Sequence, residues 1–150
     1  AAKQDKGPNW VVGSNANLPV LSGTLDRLLC LFGFPVYLEF ARVLKPDGLL
    51  LQVDAGPDHL RELREIIYPT LKPERVAEAL APADFVHQSS ATVRYPVSLS
   101  GKEQIADLLA MTPHLFRASA EGRAKAAALT ELKLTVDVRL TCFRRDQRTS

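Results

Sequence analysis

The stretch LLCLFGFPVYLEFARVLKPDGLLLQV, residues 28–53, decides the fold class. Its first five residues, Leu28–Phe32, form a continuous apolar run of strand length, broken by Gly33-Phe34-Pro35. From Val36 the period changes, and Val36, Phe40 and Val43 or Leu44 fall on one helical face. Pro46-Asp47-Gly48 stops that helix, and Leu49–Val53 is a second continuous apolar strand. Strands lacking polar alternation are buried on both sides. Two of them flanking an amphipathic helix therefore predict a parallel sheet covered on both faces.

Upstream, Ala1–Gln4 reads as the tail of a helix ended by Lys6-Gly7-Pro8. Trp10-Val11-Val12 is a short β-type run closed by Gly13, and Ser14-Asn15-Ala16-Asn17 is a polar loop. Downstream, Asp58 is the predicted N-cap of a helix whose buried stripe is Leu60, Leu63 and Ile67. Arg61 and Glu65 can pair at i,i+4 on its wet face. Pro73–Leu80 reads as a short helix. The pattern then changes class. Val93, Tyr95, Val97 and Leu99 alternate with polar residues, as do Leu132, Leu134, Val136, Val138, Leu140 and Cys142. Such alternation predicts antiparallel strands with one buried face. Helices are expected at Lys102–Met111 and Glu121–Leu129 between them. The order is parallel α/β followed by an antiparallel pair, which predicts an α/β sheet of the doubly wound kind.

The length of 150 residues suits one domain. Apolar residues at 46% and charged residues at 24% exclude a disordered or collagen-like chain. A net charge of +2 is too small to argue for nucleic acid by bulk charge. No apolar run reaches a membrane span, and the opening AAKQDKGPNW lacks the apolar centre of a signal peptide. Cys30 and Cys142 lie far apart without neighbouring ligands, so they make no zinc site and read as small buried residues of a cytoplasmic protein.

Leu25-Asp26, LLCLF, then Glu39–Gly48 (EFARVLKPDG) and LLLQV together resemble the second half of a class I S-adenosylmethionine-dependent methyltransferase. Gly56–Leu63 (GPDHLREL), with Ile67-Tyr68 after it, resembles a narrower segment, GPxHLxEL…IY. That segment belongs to the 23S rRNA (guanine-N1)-methyltransferases of the large ribosomal subunit. Met111-Thr112-Pro113 and Phe116-Arg117-Ala118 resemble the same family's MTP…(W/F)RA segment. The resemblance runs from Ala1 to about Arg145. It implies an incomplete Rossmann-like class I methyltransferase fold with strand order 3-2-1-4-5-7-6, of which strands three to seven are present and strands one and two are missing. The family's four-cysteine zinc module, glycine-rich loop and acidic residue after strand two are not among these residues, and its PGG appears as Pro46-Asp47-Gly48. The resemblance thus implies the C-terminal portion of a methyltransferase domain, with zinc only in the missing N-terminal module and little binding of donor or RNA by this portion alone. Strand four, LLCLF, would present an open edge, covered either by Trp10–Val12 or by a second copy in a homodimer.

The activity implied is transfer of a methyl group from S-adenosylmethionine to N1 of a guanine in ribosomal RNA. By resemblance, Ser14 and Asn15 meet the donor's adenine, although Ser and Asn also suit a plain solvated turn. Phe32 and Gly33 lie where the family meets the donor, and Phe34 where a ring could stack on an extruded guanine. As apolar rings flanking a turn, one of Phe32 and Phe34 is expected in the core. Thr112, Pro113, Phe116 and Arg117 are implied on the substrate side, Arg117 for a phosphate or a guanine edge. His114, Asp54 and His59 are open alternatives for taking the N1 proton. Arg139, Arg144, Arg145 and Arg148, with Arg94 and Lys133, could face phosphates. Two other readings stay open, a class I methyltransferase for a small molecule and a non-catalytic dimerisation or RNA-binding remnant.

Overall fold

The computed structural model describes residues 5–68, 81–112 and 118–147. The elements are β1 (Leu25–Leu31), α1 (Tyr37–Val43), β2 (Leu44–Ala55), α2 (Arg61–Ile67), β3 (Phe85–Ser100), α3 (Lys102–Met111), α4 (Ala120–Ala128) and β4 (Glu131–Arg145). Among the described residues four strands form one mixed sheet in the order β1-β2-β4-β3. β1 and β2 run parallel, with Leu28 opposite Leu50 and Leu31 opposite Val53. At the ends of β3 and β4, Asp146 N donates to Asp84 O at 2.8 Å and Gly101 N to Thr130 O at 2.7 Å, so these strands run antiparallel. The α/β class, the parallel pair and the closing antiparallel pair all match the sequence reading. The predicted helix Lys102–Met111 has those bounds.

The register between β1 and β2 slips at the start: Leu25 faces Leu44, but Arg27 faces Leu49. The residues between, Lys45-Pro46-Asp47-Gly48, bulge out of the ladder with Asp47 at φ 62°. They therefore open β2 as a bulge, and the helix before them already ends at Val43. Arg144 and Gln147 both bond the Asp47 carboxylate, and Lys45 Nζ lies 2.7 Å from Asp26 Oδ1.

The chain divides into two compact units. The first holds residues 5–53, 81–90 and 141–147. Its core is Phe40, Leu44, Leu50, Phe85 and Phe143 with Cys30 and Ala41. Phe85 meets Phe143 edge-on at 6.3 Å, and Tyr37 meets Phe85 at 6.1 Å. The second holds residues 54–68, 91–112 and 118–140, and packs Leu60, Leu63, Ile67, Ile105, Leu109, Ala126, Leu132 and Leu134. Each Leu or Ile so buried contributes about 1.5–3 kcal/mol.

β1 leaves Leu29 and Leu31 exposed, and β3 is exposed on both faces from Val86 to Pro96, so the coverage expected of these two strands does not hold, both being outermost in the sheet order. Four further readings need correction. Trp10–Val12 is not a strand: Val12 is fully exposed and the Trp10 indole donates to Asp5 O at 2.9 Å. Three residues without a paired neighbour have no ladder to hold them, so this segment does not cover β1. Asp58 is not the cap of α2. That position is Leu60, at φ 51°, whose N–H donates to Thr135 O at 2.8 Å, while Asp58 takes Arg61 at 3.1 Å and Arg94 at 2.7 Å. The alternation in β4 changes phase after Leu134, so that Asp137, Thr141 and Phe143 are the buried residues instead of Val136, Val138 and Cys142. β4 lies between β2 and β3 and is at least half-covered on both faces over this stretch, so a one-sided pattern does not apply. Phe32 and Phe34 are both exposed, so neither is a core residue. The helices read at Ala1–Gln4 and Pro73–Leu80 lie outside the described residues.

Glu39 clips the segment before β1 onto α1. Its carboxylate takes the Arg42 guanidinium at 2.6 and 2.8 Å and the Leu18 N–H at 2.7 Å. The hydrogen bond from Arg42, then that from Leu18, holds its pKa down at about 2. A depressed carboxyl stabilises the fold above its ordinary range near 4.5 and loses that contribution as pH falls toward 2. The stability gap between the wild type and Glu39→Gln, read by urea titration, is therefore expected to be widest near neutrality and to close on acidification. A gap independent of pH would refute this role.

Candidate functional site

Two loops of the first unit meet. After Val12 the chain turns through Gly13–Asn17, where Asn17 N donates to Ser14 O at 3.0 Å and Ala16 N to Ser14 Oγ at 3.2 Å. After β1 the chain turns at Phe32, whose φ is 52° and whose N–H still extends the ladder to Val53 O at 2.9 Å. Asn15 joins the two loops, its side-chain amide donating to Phe34 O at 3.0 Å. A cavity of about 250 Å³ opens between them, lined by Asn15, Leu18, Leu28, Cys30, Gly33 and Phe40 among others.

Gly33 matters here for the absence of a side chain. A Cβ on it would stand 3.3 Å from Cys30 Sγ and 3.8 Å from Asn15 Nδ2, inside the cavity mouth. The other lining side chains are apolar, and backbone atoms supply further polar surface. The Asn15 amide supplies one donor and one acceptor, a combination suited to the edge of a heterocycle. The cavity falls just below the range of about 300–1,000 Å³ usual for small-ligand pockets. The residues present therefore fit a ring-sized part of a nucleoside donor rather than the whole of it. Phe32 and Phe34 stand beside it, 60% and 89% exposed.

The structure brings together five of the nine residues that the resemblance implies at the donor or the substrate: Ser14, Asn15, Phe32, Gly33 and Phe34. Of these, Asn15 and Gly33 line the cavity and Ser14 closes its own turn. Thr112 lies in the second unit and serves the end of α3, its hydroxyl donating to Leu109 O at 3.2 Å. Pro113, His114, Phe116 and Arg117 lie outside the described residues. Leu28, expected in a strand, and Phe40, expected on a helical face, also line the cavity, together with Leu18. Their role follows from the loop 13–17 folding back, which no periodicity signals.

The arginines of the expected phosphate-facing patch are largely engaged internally. Arg144 bonds Asp47, Arg145 bonds the Leu44 carbonyl, and Arg94 pairs with Asp58. Arg148 is outside the described residues. His59 is half-buried, which lowers its pKa, and its Nδ1 accepts the Asp137 N–H at 3.3 Å. The neutral ring then carries its hydrogen on Nε2, which can donate a hydrogen bond, while its basic nitrogen Nδ1 is already engaged and is a poor proton acceptor. Among the described residues no cluster of His, Cys, Asp and Glu could hold a metal ion, and no helix is long and apolar enough to cross a membrane.

No protein-family model matches the chain. The chain is 34% identical over 146 residues to the "Putative 23S rRNA (guanine-N(1)-)-methyltransferase YxjB" of Bacillus subtilis, covering 92% of this chain and 50% of that protein. It is 34% identical over 133 residues to the "Putative 23S rRNA (guanine-N(1)-)-methyltransferase" of Micromonospora griseorubida, covering 85% of this chain and 44% of that one. The chain thus spans about half the length of the curated relatives it matches. Among solved structures, the protein described under "Conversion of a Disulfide Bond into a Thioacetal Group during Echinomycin Biosynthesis" shares the fold. Its TM-score is 0.51 at 10% identity, over 93% of this chain and 57% of that one.

Proposed function

We propose that this chain, homologous to the proteins named 23S rRNA (guanine-N1)-methyltransferases, is the C-terminal portion of an S-adenosylmethionine-dependent enzyme that methylates N1 of a guanine in large-subunit ribosomal RNA. The observation that carries it is the joining of loops 13–17 and 32–35 by Asn15 around a cavity beside the end of β1, the edge strand of a parallel pair. Ligands of open α/β sheets sit at the carboxyl ends of such strands. The observed order β1-β2-β4-β3 suits strands four, five, seven and six of the methyltransferase order. In this reading the glycine-rich loop, the ribose-binding acid and the zinc module belong to parts of the enzyme outside these 150 residues.

The donor, when bound, would supply an electrophilic methyl group, which passes to the acceptor nitrogen as its bond to sulfur breaks and a neutral thioether leaves. This chain's part is to hold and align the reactants. Asn15 bonds an edge of the adenine, Gly33 leaves room for it, and Leu18, Leu28 and Phe40 exclude water from its faces. Phe34, nearly bare beside the cavity, stacks on the acceptor base.

The test uses the full-length enzyme with a 23S rRNA transcript, reading N1 methylation as a block to reverse transcription. Phe34→Ala is expected to weaken RNA binding roughly 10-fold, since a base stacked on an aromatic ring is worth about 1–3 kcal/mol. Its melting temperature should hold, because the ring touches little of the fold. Asn15→Ala is expected to weaken donor binding about 3- to 10-fold, the worth of one net hydrogen bond. Transfer to a small quinone-type acceptor and none to RNA would overturn the reading.

A further inference from the structure

Leu18 lines the cavity directly after the turn that carries Asn15. It belongs to no helix or strand, so no ladder holds it. One ion pair on α1 holds it instead, at both of its backbone polar groups. Glu39 Oε1 accepts the Leu18 N–H at 2.7 Å, and Arg42 Nη2 donates to Leu18 O at 3.1 Å. Arg42 Nη1 donates to Val20 O and to Ser22 Oγ, each at 3.0 Å. Arg42 Nε and Nη2 donate to the Glu39 carboxylate at 2.8 and 2.6 Å. All five N–H donors of the guanidinium are thereby used, on four different partners. The backbone continues the lacing, with Gly23 N donating to Arg42 O at 2.8 Å and Thr24 N to Val43 O at 3.0 Å. The same helix supplies Phe40 to the cavity lining.

We propose that Arg42 is a positioning residue for donor binding: its guanidinium, locked on Glu39, holds Leu18 and with it the Asn15 turn at the cavity. The inference rests on the reading of that cavity as the donor's site. Asn17 N donates to Ser14 O at 3.0 Å, so the turn is closed on itself just before Leu18 and moves with it. Without the fork of donors, Leu18 and Asn15 swing away from the cavity, and only molecules with the wall in place bind. A wall in place one time in ten weakens donor affinity about 10-fold. Lysine does not substitute. Its ammonium pairs with Glu39 but is a point charge without the planar fork that meets four partners at once.

The experiment uses the full-length enzyme with S-adenosylmethionine as the probe, reading affinity by calorimetry, amide exchange without donor, and initial rates on a 23S rRNA transcript. Arg42→Lys is expected to weaken donor binding about 10-fold. Exchange in the donor-free protein should quicken at residues 14–20 and hold at residues 50–53 of β2. The kinetic loss should fall on KM for the donor, with kcat at saturating donor changed less than about 2-fold, because the bound donor itself keeps the wall in place. Should Arg42→Lys impair folding, Glu39→Gln is read in the same way. It keeps an acceptor for the Leu18 N–H but loses the ionic lock, and is expected to weaken donor binding about 3-fold. A lower kcat and melting temperature with KM unchanged would mean a structural role alone and overturns the proposal. Donor binding that Asn15→Ala weakens but Arg42→Lys does not overturns the proposal and leaves the cavity as the donor's site. No donor binding by the wild type, or binding that Asn15→Ala leaves untouched, overturns both.

Discussion

Gly122→Ala is expected to destabilise the protein by about 3 kcal/mol, the upper part of the range for forcing extra atoms into packed structure. At an exposed helical site the same change would stabilise by up to about 1 kcal/mol, because alanine is the better helix former. The sign is reversed by what Gly122 touches. It lies in the first turn of α4, where its N–H donates to the hydroxyl of the cap Ser119 at 3.0 Å. A Cβ there would stand 2.2 Å from the Ile67 carbonyl oxygen and 2.8 Å from that residue's carbonyl carbon and Cα. All three are backbone atoms at the end of α2, and no side chain can swing aside. The two helices would have to part, opening the core around Ile67 and Ala126, both essentially buried. Denaturant titration gives the result directly. A stability equal to or above wild type would mean that α4 does not pack on α2 at this closeness.

Gly56→Ala is the second large effect, expected at about 3 kcal/mol, and it has a second-site test. A Cβ on Gly56 would fall 2.5 Å from the Asp137 carboxyl carbon. That carboxylate is buried and accepts the Asp58 N–H at 3.0 Å, while Gly56 N itself donates to Asp137 O at 2.8 Å. Turning the carboxylate aside would leave it buried without that bond, at about 1–3 kcal/mol, in addition to the strain. Gly56→Ala with Asp137→Ala removes the clash, so the double variant should lose less than the sum of the single losses. Simple additivity would show that the two residues do not press on one another. His59 adds a pH signature to the same loop: burial holds its pKa below 6.5, so the stability it contributes is complete above that range and fades on acidification.

The segment Gly56–Leu63 shows how much of such a motif was legible. Its likeness to a family segment marked it for attention, and the stripe Leu60, Leu63, Ile67 gave its helix. Its polar residues turn out to fasten it to β4. Glu62 takes the Thr135 N–H at 2.9 Å and the Thr135 hydroxyl at 2.6 Å, and Asp137 takes Asp58. These bonds join residues more than seventy positions apart, which spacing along one segment cannot reveal. The candidate site divides in the same way. Phe32, Gly33 and Phe34 stood out as a break between strand and helix, whereas the partner that bridges to them, Asn15, comes from a polar turn seventeen to nineteen residues earlier.

Hydrophobic period and breakers are local properties, and they were enough to determine the parallel pair β1 and β2, the helix between them, α3 to the residue, and the closing antiparallel strands. Tertiary structure alone decided that Trp10–Val12 stays out of the sheet and that Asp137 is buried while Val136 is not. It also decided that Asn15 reaches across to Phe34. Each of these depends on which neighbour covers a strand or accepts a proton. That neighbour is supplied by the folded chain and not by the adjacent sequence.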